Sequence, residues 1–216
     1  MDGQGDKANR RPLKSRTTGW AAIAARAALA TGIGPNQVSF IGIVISLAGA
    51  VALYKSGQGS NWLFLIAAVA IQTRLLANML DGMVAVEGGR GGPTGAIWNE
   101  FPDRIEDSLL LISAGYAASL PEIGWLAALL AAICAYVRLL GGTLHQPQDF
   151  GGPMAKPHRM AALTIGSLIA FLLSFSKTGN HKDILLTLQA TLSVIAAGTV
   201  LTIALRLTRL SKALRA

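Results

Sequence analysis

The 216-residue chain is 52% hydrophobic and 14% charged, which limits it to one soluble domain or a compact bundle of membrane helices. Its net charge of +8 fits a membrane surface better than nucleic acid, because no stretch combines aromatic with basic residues as a single-strand-binding surface does. The single cysteine, Cys134, excludes a disulfide framework.

The N-terminal region predicts two segments that do not cross a membrane. Residues 1–17 form a basic tail with five Lys and Arg side chains and no apolar signal-peptide core, so disorder and contact with anionic lipid headgroups are both compatible with it. Residues 18–31 predict a helix too short to span a bilayer, and Trp20 and Arg26 suit an amphipathic helix at the membrane interface. We therefore divide the chain into a cytoplasmic tail, 1–17, and a membrane domain, 18–216.

The remaining sequence predicts an all-α integral membrane protein with six transmembrane helices, since six apolar runs have roughly the twenty residues that a bilayer requires. The predicted spans are 37–55, 61–84, 95–119, 122–142, 159–176 and 184–207. Most of the remaining Lys and Arg lie in the tail, the even-numbered connections and the C-terminus. This asymmetry places both termini on the cytoplasmic side of the inner membrane.

The segment 74–107 interrupts this apolar pattern with six of the chain's eleven acidic residues, all between Asp81 and Asp107. Acidic side chains next to hydrocarbon are costly unless they are paired, bind metal or face water, so they indicate a functional site. The turn-rich connector EGGRGGPTG is expected to fold two helices side by side. Helical spacing puts Asn78, Asp81 and Ala85 on one face of the first helix. It likewise puts Asn99, Asp103 and Glu106 on one face of the second helix. Such oxygen ligands suit Mg²⁺ or Mn²⁺.

At these residues the sequence resembles the CDP-alcohol phosphatidyltransferases. The segment NMLDGMVAV, followed after eight residues by GAIWNEFPD, keeps the spacing of the family signature. The matching positions are Asp81, Gly82, Ala85, Gly95 and Asp103. Three positions depart from the signature: Asn78 and Asn99 replace aspartates, and Val86 replaces an arginine. The two asparagines resemble a bacterial branch of the family.

The resemblance implies a metal-dependent enzyme that transfers a phosphatidyl group from CDP-diacylglycerol to a polar alcohol and releases CMP. The implied diphosphate-binding and metal-binding residues are Asn78, Asp81, Gly82, Ala85, Gly95, Asn99 and Asp103, of which Asp103 is the proposed catalytic base. Two aspartates bring a charge of about −2 where four would bring about −4. We therefore expect weak metal binding until the substrate diphosphate supplies the missing charge.

Five basic residues lie near this segment. Arg74 is one turn before Asn78, and we expect it to pair with the acidic cleft. Arg104, Arg138, Lys156 and Arg159 are candidate ligands for an acceptor or lipid phosphate. Positive-inside flanking explains Lys156 and Arg159 about equally well.

Three other functions stay open at this point. One is a transferase that joins a CDP-linked headgroup to diacylglycerol, and another is a non-catalytic relative that binds CDP-lipid. The third is a small transporter with acidic residues on its ion path. The family is often dimeric, which implies a homodimer. The histidines lack ligand spacing and are expected at the surface: His145, His158 and His181.

Overall fold

The computed structural model describes residues 32–56, 59–87, 94–176 and 180–215, with positions 23, 26, 27 and 30. The basic tail 1–17, most of the predicted surface helix 18–31 and connector residues 88–93 lie outside the described residues. Six helices of at least twenty residues occupy the described part of the chain. They are α1 (Pro35–Ser56), α2 (Trp62–Glu87), α3 (Gly95–Ala117), α4 (Pro121–Thr143), α5 (Lys156–Phe175) and α6 (His181–Ala213).

The predicted all-helical, multi-pass membrane architecture is confirmed. Five helices, α1, α2, α4, α5 and α6, are long and apolar enough to cross a bilayer. Helix α3 has 23 residues but carries five charged side chains, between Glu100 and Asp107, so its membrane crossing remains a prediction. Helix α6 has 33 residues; at about 1.5 Å per residue it is roughly 50 Å long and exceeds the hydrocarbon core.

The last two helices begin three residues before their predicted starts, for reasons visible in the sequence. Helix α5 begins at Lys156 with Pro157 in its first turn, a position where the missing proline N–H costs nothing. Helix α6 begins with a capping box, in which Asn180 accepts from the backbone N–H of Asp183 and Asp183 accepts from that of Asn180. The predicted end of α6 at 207 is too early, because the helix continues to Ala213.

Helices α1 and α2 run antiparallel in a fixed register. Ser39 lies opposite Asp81, to which it donates a hydrogen bond of 2.8 Å, and Gly49 lies opposite Ala70. The small residues at 39, 42, 46 and 49 of α1 therefore follow one face that packs against both α2 and α3. This face brings the backbone of α1 close to the acidic segment.

Side-chain contacts place the acidic segment at one end of the bundle. The start of α1, the end of α2 and the starts of α3 and α5 all contribute polar side chains to this end. The opposite end carries aromatic contacts, between Tyr54 and Tyr116 and between Trp62 and Phe175. The apolar core between the two ends is built largely from Leu, Ile and Ala side chains.

Candidate active site

Asp81 lies in the last two turns of α2 and faces α1. Its Oδ2 accepts the hydrogen bond from Ser39, and the backbone N–H of Gly82 also interacts with the carboxylate. Oδ1 is buried and has no hydrogen-bond partner among the described residues. Asp103 and Lys156 lie within electrostatic range of Asp81. The serine thus fixes one oxygen and leaves the other for a ligand.

Asn78, one turn before Asp81, links α2 to α3. Its Nδ2 donates to Asp103 Oδ1 at 2.6 Å and to Glu106 Oε2 at 3.1 Å. Because both partners are acceptors, the amide must direct Nδ2 toward them, and its Oδ1 faces Gly42 on α1. The two predicted helical faces therefore meet across a shared cleft, as the sequence spacing requires.

Arg74 is completely buried and pairs with the acidic cleft, as predicted. Its Nε donates to Glu106 Oε2 at 2.7 Å, and its second nitrogen, Nη2, contacts Asp107 Oδ1. The same nitrogen lies 3.9 Å from Asp103 Oδ1. Glu106 is also completely buried. One guanidinium thus lies close to three carboxylates on the same face of α3.

Two further cations reach the cleft from the start of α5. Lys156 Nζ forms an ion pair with Asp103 Oδ1, the oxygen that also accepts from Asn78. Arg159 is buried; its Nη2 lies 3.1 Å from Asp107 Oδ2, and its Nη1 donates to the Met154 carbonyl at 3.0 Å. Lys156 therefore lies beside the predicted base, and Arg159 lies beside Asp107, one turn farther along α3.

The other two predicted phosphate ligands share a carboxylate on α3. Arg138 pairs with Glu100, donates to Gln148 Oε1 at 2.7 Å and stacks on Phe150. Arg104 Nη2 is 3.6 Å from Glu100 Oε2 and 3.6 Å from Asp103 Oδ2. With Asp81, these ion pairs form a charged cluster of five acids and five bases. Its members are Asp81, Glu100, Asp103, Glu106, Asp107, Arg74, Arg104, Arg138, Lys156 and Arg159.

The loop before α5 is attached to α6. Arg206 donates to the Gly151 carbonyl at 2.9 Å, and Thr202 Oγ1 accepts from the Met154 N–H at 2.9 Å. Partial burial acts to raise the pKa of Asp149, but the Gly151 N–H and the Arg209 guanidinium lower that pKa below its usual value overall. These contacts fix the backbone from which Lys156 extends.

The remaining predicted residues are farther from this network. Ala85 is half-buried, and Gly95 has no described atom within 4 Å of where its Cβ would lie. Asn99 is exposed on α3, so its place in the metal set stays a prediction. The three histidines are exposed and Cys134 is buried with a free thiol, as expected. Sequence reasoning missed Ser39 and Gly42, which belong to a helix forty residues away and carry no acidic or basic signal.

The oxygen atoms without a hydrogen-bond partner indicate whether these residues could bind a divalent metal. Asp81 Oδ1 and Glu106 Oε1 are both buried without a hydrogen-bond partner in the described ranges. Carboxylate and amide oxygens are the ligands that Mg²⁺ and Mn²⁺ prefer. Within the part of the chain that the structure describes, no three His, Cys, Asp or Glu side chains form a ready group of metal ligands. The cleft therefore suits a hard cation only if amide oxygens such as Asn78 Oδ1 contribute.

A substitution of Gly42 tests the close approach of α1 to the cleft. A Cβ at this position would lie 2.7 Å from Glu106 Oε1 and 3.5 Å from Asn78 Oδ1. Because Arg74 and Asn78 hold Glu106, the carboxylate cannot move without losing these contacts. We expect Gly42→Ala to lower the free energy of unfolding in mixed micelles by about 1–3 kcal/mol. Gly34→Ala, whose Cβ would meet Gln37 Oε1 at an ordinary 3.8 Å, is the control. Equal stability of the two variants would contradict this packing.

Comparisons with known proteins found relatives of modest identity. No family model matches the chain. A phosphatidylinositol phosphate synthase of Mycolicibacterium smegmatis is 28% identical over 150 residues, which cover 66% of this chain and 65% of the relative. The inner membrane protein YnbA of Escherichia coli is 29% identical over 128 residues, which cover 57% of this chain and 61% of that protein. The chain thus matches just under two thirds of the length of each relative.

Solved structures establish the fold. The crystal structure of Mycobacterium tuberculosis phosphatidylinositol phosphate synthase, PgsA1, in complex with manganese and citrate superposes with a TM-score of 0.69. The match has 22% sequence identity and covers 87% of each chain. The same protein with CDP-DAG bound gives a TM-score of 0.68 and covers 87% of this chain and 91% of that one. The chain therefore has the fold of this membrane protein.

Proposed function

We propose that the chain is a phosphatidyltransferase of the CDP-alcohol type. In this proposal it transfers the phosphatidyl group of CDP-diacylglycerol to a polar alcohol and releases CMP. The observation that carries the proposal is the meeting of Asp81 and Asp103 on neighbouring helices at one end of a membrane bundle, with cations around them. The preserved signature spacing and the names of the relatives support the same activity.

Each residue of the cleft has a chemical role in this reaction. Asp81 and Asp103, with the amide oxygens of Asn78 and Asn99, would hold Mg²⁺ or Mn²⁺, which neutralises charge on the substrate diphosphate when bound. Asp103 accepts the proton of the acceptor hydroxyl while the hydroxyl oxygen attacks the phosphatidyl phosphorus. The bond from that phosphorus to the CMP oxygen breaks, and CMP leaves. Gly82, Ala85 and Gly95 leave space for the nucleotide beside the backbone.

The acceptor is proposed to carry a phosphate of its own. Arg104, Arg138, Lys156 and Arg159 bring four cations to the cleft, and a phosphate is an anion that such side chains bind well. A phosphorylated polyol such as inositol phosphate fits this charge and the names of the relatives. Water-soluble acceptors would enter from the cytoplasm and the lipid substrate from the membrane side. A homodimer is proposed from the resemblance alone.

The reaction is tested by CMP release from CDP-diacylglycerol in nanodiscs with Mg²⁺ or Mn²⁺. The acceptors compared are inositol phosphate, glycerol phosphate, inositol, serine and glycerol. We expect the phosphorylated acceptors to give the highest rate. Removal of divalent metal with EDTA should abolish release, and added Mn²⁺ should restore it, because the metal is needed to neutralise the charge of the diphosphate when CMP leaves. Turnover that persists in EDTA would contradict the metal-dependent mechanism.

Two alternatives give different results in the same assay. A CDP-headgroup transferase would release no CMP from CDP-diacylglycerol, and would release it only when a CDP-linked headgroup is supplied together with diacylglycerol. A non-catalytic relative, which the replacements at Asn78 and Asn99 favour, would bind CDP-diacylglycerol without turnover with any acceptor. Ion flux in liposomes that survives both Asp81→Asn and Asp103→Asn would instead indicate a function outside the charged cluster.

A further inference from the structure

We propose that Lys156 acts as an exchangeable counter-ion of Asp103, which holds the divalent metal off this carboxylate until the substrate diphosphate arrives. The inference rests on the proposed function, because it assigns the order of metal and nucleotide binding at the same cleft. Its consequence is that metal and CDP-lipid each tighten the binding of the other. Lys156 then has two successive partners: Asp103 before binding and a substrate phosphate after it.

The contacts of Asp103 identify the competing cation. Lys156 Nζ and Asn78 Nδ2 both contact Oδ1, whereas Arg104 and Arg74 lie farther away, at 3.6 Å from Oδ2 and 3.9 Å from Oδ1. Of the cations near Asp103, Lys156 is therefore the one that a metal ion bound to Oδ1 must displace.

Burial shows why Lys156, and neither Arg74 nor Arg159, changes its partner. The side chain of Lys156 is 17% exposed, whereas those of Arg74 and Arg159 are 0% and 4% exposed. Both arginines also make hydrogen bonds to further partners, which hold their planar groups in place. A lysine ammonium is a point charge on a flexible stem and can change partners with little rearrangement.

The attachment of the preceding loop limits the movement to the side chain. Thr202 and Arg206 of α6 hold the backbone at Met154 and Gly151, and Pro157 follows Lys156 in the first turn of α5. The Cα of Lys156 is thus fixed beside the cleft. Four rotatable bonds of its side chain remain to carry the ammonium from Asp103 to a neighbouring phosphate oxygen.

Charge balance explains why the exchange needs the diphosphate. The charged cluster holds five acids and five bases, so its formal charge is zero when all are ionised. A divalent cation alone would leave a net charge of +2 in a poorly solvated cleft, which is unfavourable. A diphosphate diester brings about one negative charge per phosphate, so metal and diphosphate together restore neutrality. The released lysine then meets an anion of its own.

Binding of Mn²⁺ to the detergent-solubilised full chain tests the inference, with the signal of free Mn²⁺ in electron paramagnetic resonance as the readout. CDP is the nucleotide probe, and the Mn²⁺ that CDP binds in the absence of protein is measured separately and subtracted. We expect wild-type protein to bind Mn²⁺ weakly alone and at least about tenfold more tightly with CDP, since tenfold corresponds to about 1.4 kcal/mol. Lys156→Gln should bind Mn²⁺ alone about tenfold more tightly than wild type and gain little from CDP. Lys156→Arg, which keeps the charge, should bind Mn²⁺ alone as weakly as wild type.

The control is Lys182→Gln, an exposed lysine at the opposite end of the bundle, which should leave both affinities unchanged. Thermal unfolding of each variant verifies that it is folded. Unchanged or weaker binding of Mn²⁺ alone to folded Lys156→Gln would overturn the counter-ion role. If that variant binds Mn²⁺ more tightly but CDP has no effect on any form, the counter-ion role stands, and the proposed nucleotide substrate is wrong.

Discussion

Replacement of Arg74 by methionine is expected to destabilise the protein by about 3–5 kcal/mol, the cost of leaving buried charges without their partner. Arg74 is completely buried and contacts Glu106 and Asp107 directly, with Asp103 at 3.9 Å. Lys156 and Arg159 would still neutralise Asp103 and Asp107. Glu106, which is completely buried, would lose its cation. Unfolding in mixed dodecyl maltoside and SDS micelles measures the change.

The matched comparison is Arg209→Met, which removes an arginine from an exposed ion pair with Asp149. Exposed pairs contribute at most about 1 kcal/mol, so this variant should remain close to wild type. The double variant Arg74→Met with Glu106→Gln should recover part of the loss, because it removes the carboxylate left unpaired. If Arg74→Met is as stable as Arg209→Met, then Arg74 does not hold α2 and α3 together.

The arginine also illustrates what local sequence spacing can predict. Arg74, Asn78 and Asp81 lie on successive turns of one helix, and a helix fixes their common direction without any tertiary information. The facing set on α3 follows by the same rule. Because the connector is short, the two faces had to meet, and Asn78 donates to Asp103 as that geometry requires. The part of the site on α2 and α3 was therefore predictable.

The contribution of α1 was not predictable in this way. Ser39 and Gly42 contact Asp81 and Glu106 through an antiparallel register that depends on packing over the whole helix pair. Small residues at helical spacing are common in membrane helices, so neither position has a distinctive pattern. The same limit applies to Lys156 and Arg159: their charge indicated a loop at the cytoplasmic surface, whereas the contacts of this loop with α6 direct them into the cleft.

The last two helices extend beyond the predicted membrane spans, because capping and not apolar composition sets where a helix begins. The spans were drawn where hydrophobic runs stop, but Pro157 and the Asn180–Asp183 capping box start α5 and α6 within polar sequence. The residue at which α5 begins affects the site. It makes Lys156 the first residue of α5, one turn before Arg159, so that the two cations lie on the same side of the helix. They reach Asp103 and Asp107, which are themselves four positions apart on α3.

Replacement of Asp103 by asparagine is expected to lower kcat for CMP release by about 10²–10⁴-fold, the usual contribution of a general base. Asparagine is nearly isosteric and can still accept the hydrogen bond from Asn78, but it cannot take a proton from the acceptor hydroxyl. Asp103 is the described carboxylate that contacts both Asn78 of the signature segment and Lys156 of α5. In the proposed reaction, this is where the nucleotide and the acceptor meet. Turnover in nanodiscs at saturating acceptor isolates the chemical step.

Binding measurements separate loss of the base from loss of the site. CDP-diacylglycerol affinity of Asp103→Asn should fall by far less than its turnover, since Asp81 with Ser39, together with Arg74, Arg159 and the rest of the charged cluster, is retained. Glu122→Gln, which alters an exposed carboxylate at the opposite end of the bundle, should leave both turnover and binding at wild-type levels. Asp81→Asn should differ from both Asp103→Asn and Glu122→Gln. It replaces the unsatisfied carboxylate oxygen of Asp81, which weakens metal-dependent CDP binding itself. Near-normal kcat in Asp103→Asn would mean that another group, with Glu106 the nearest candidate on the same helical face, accepts the proton.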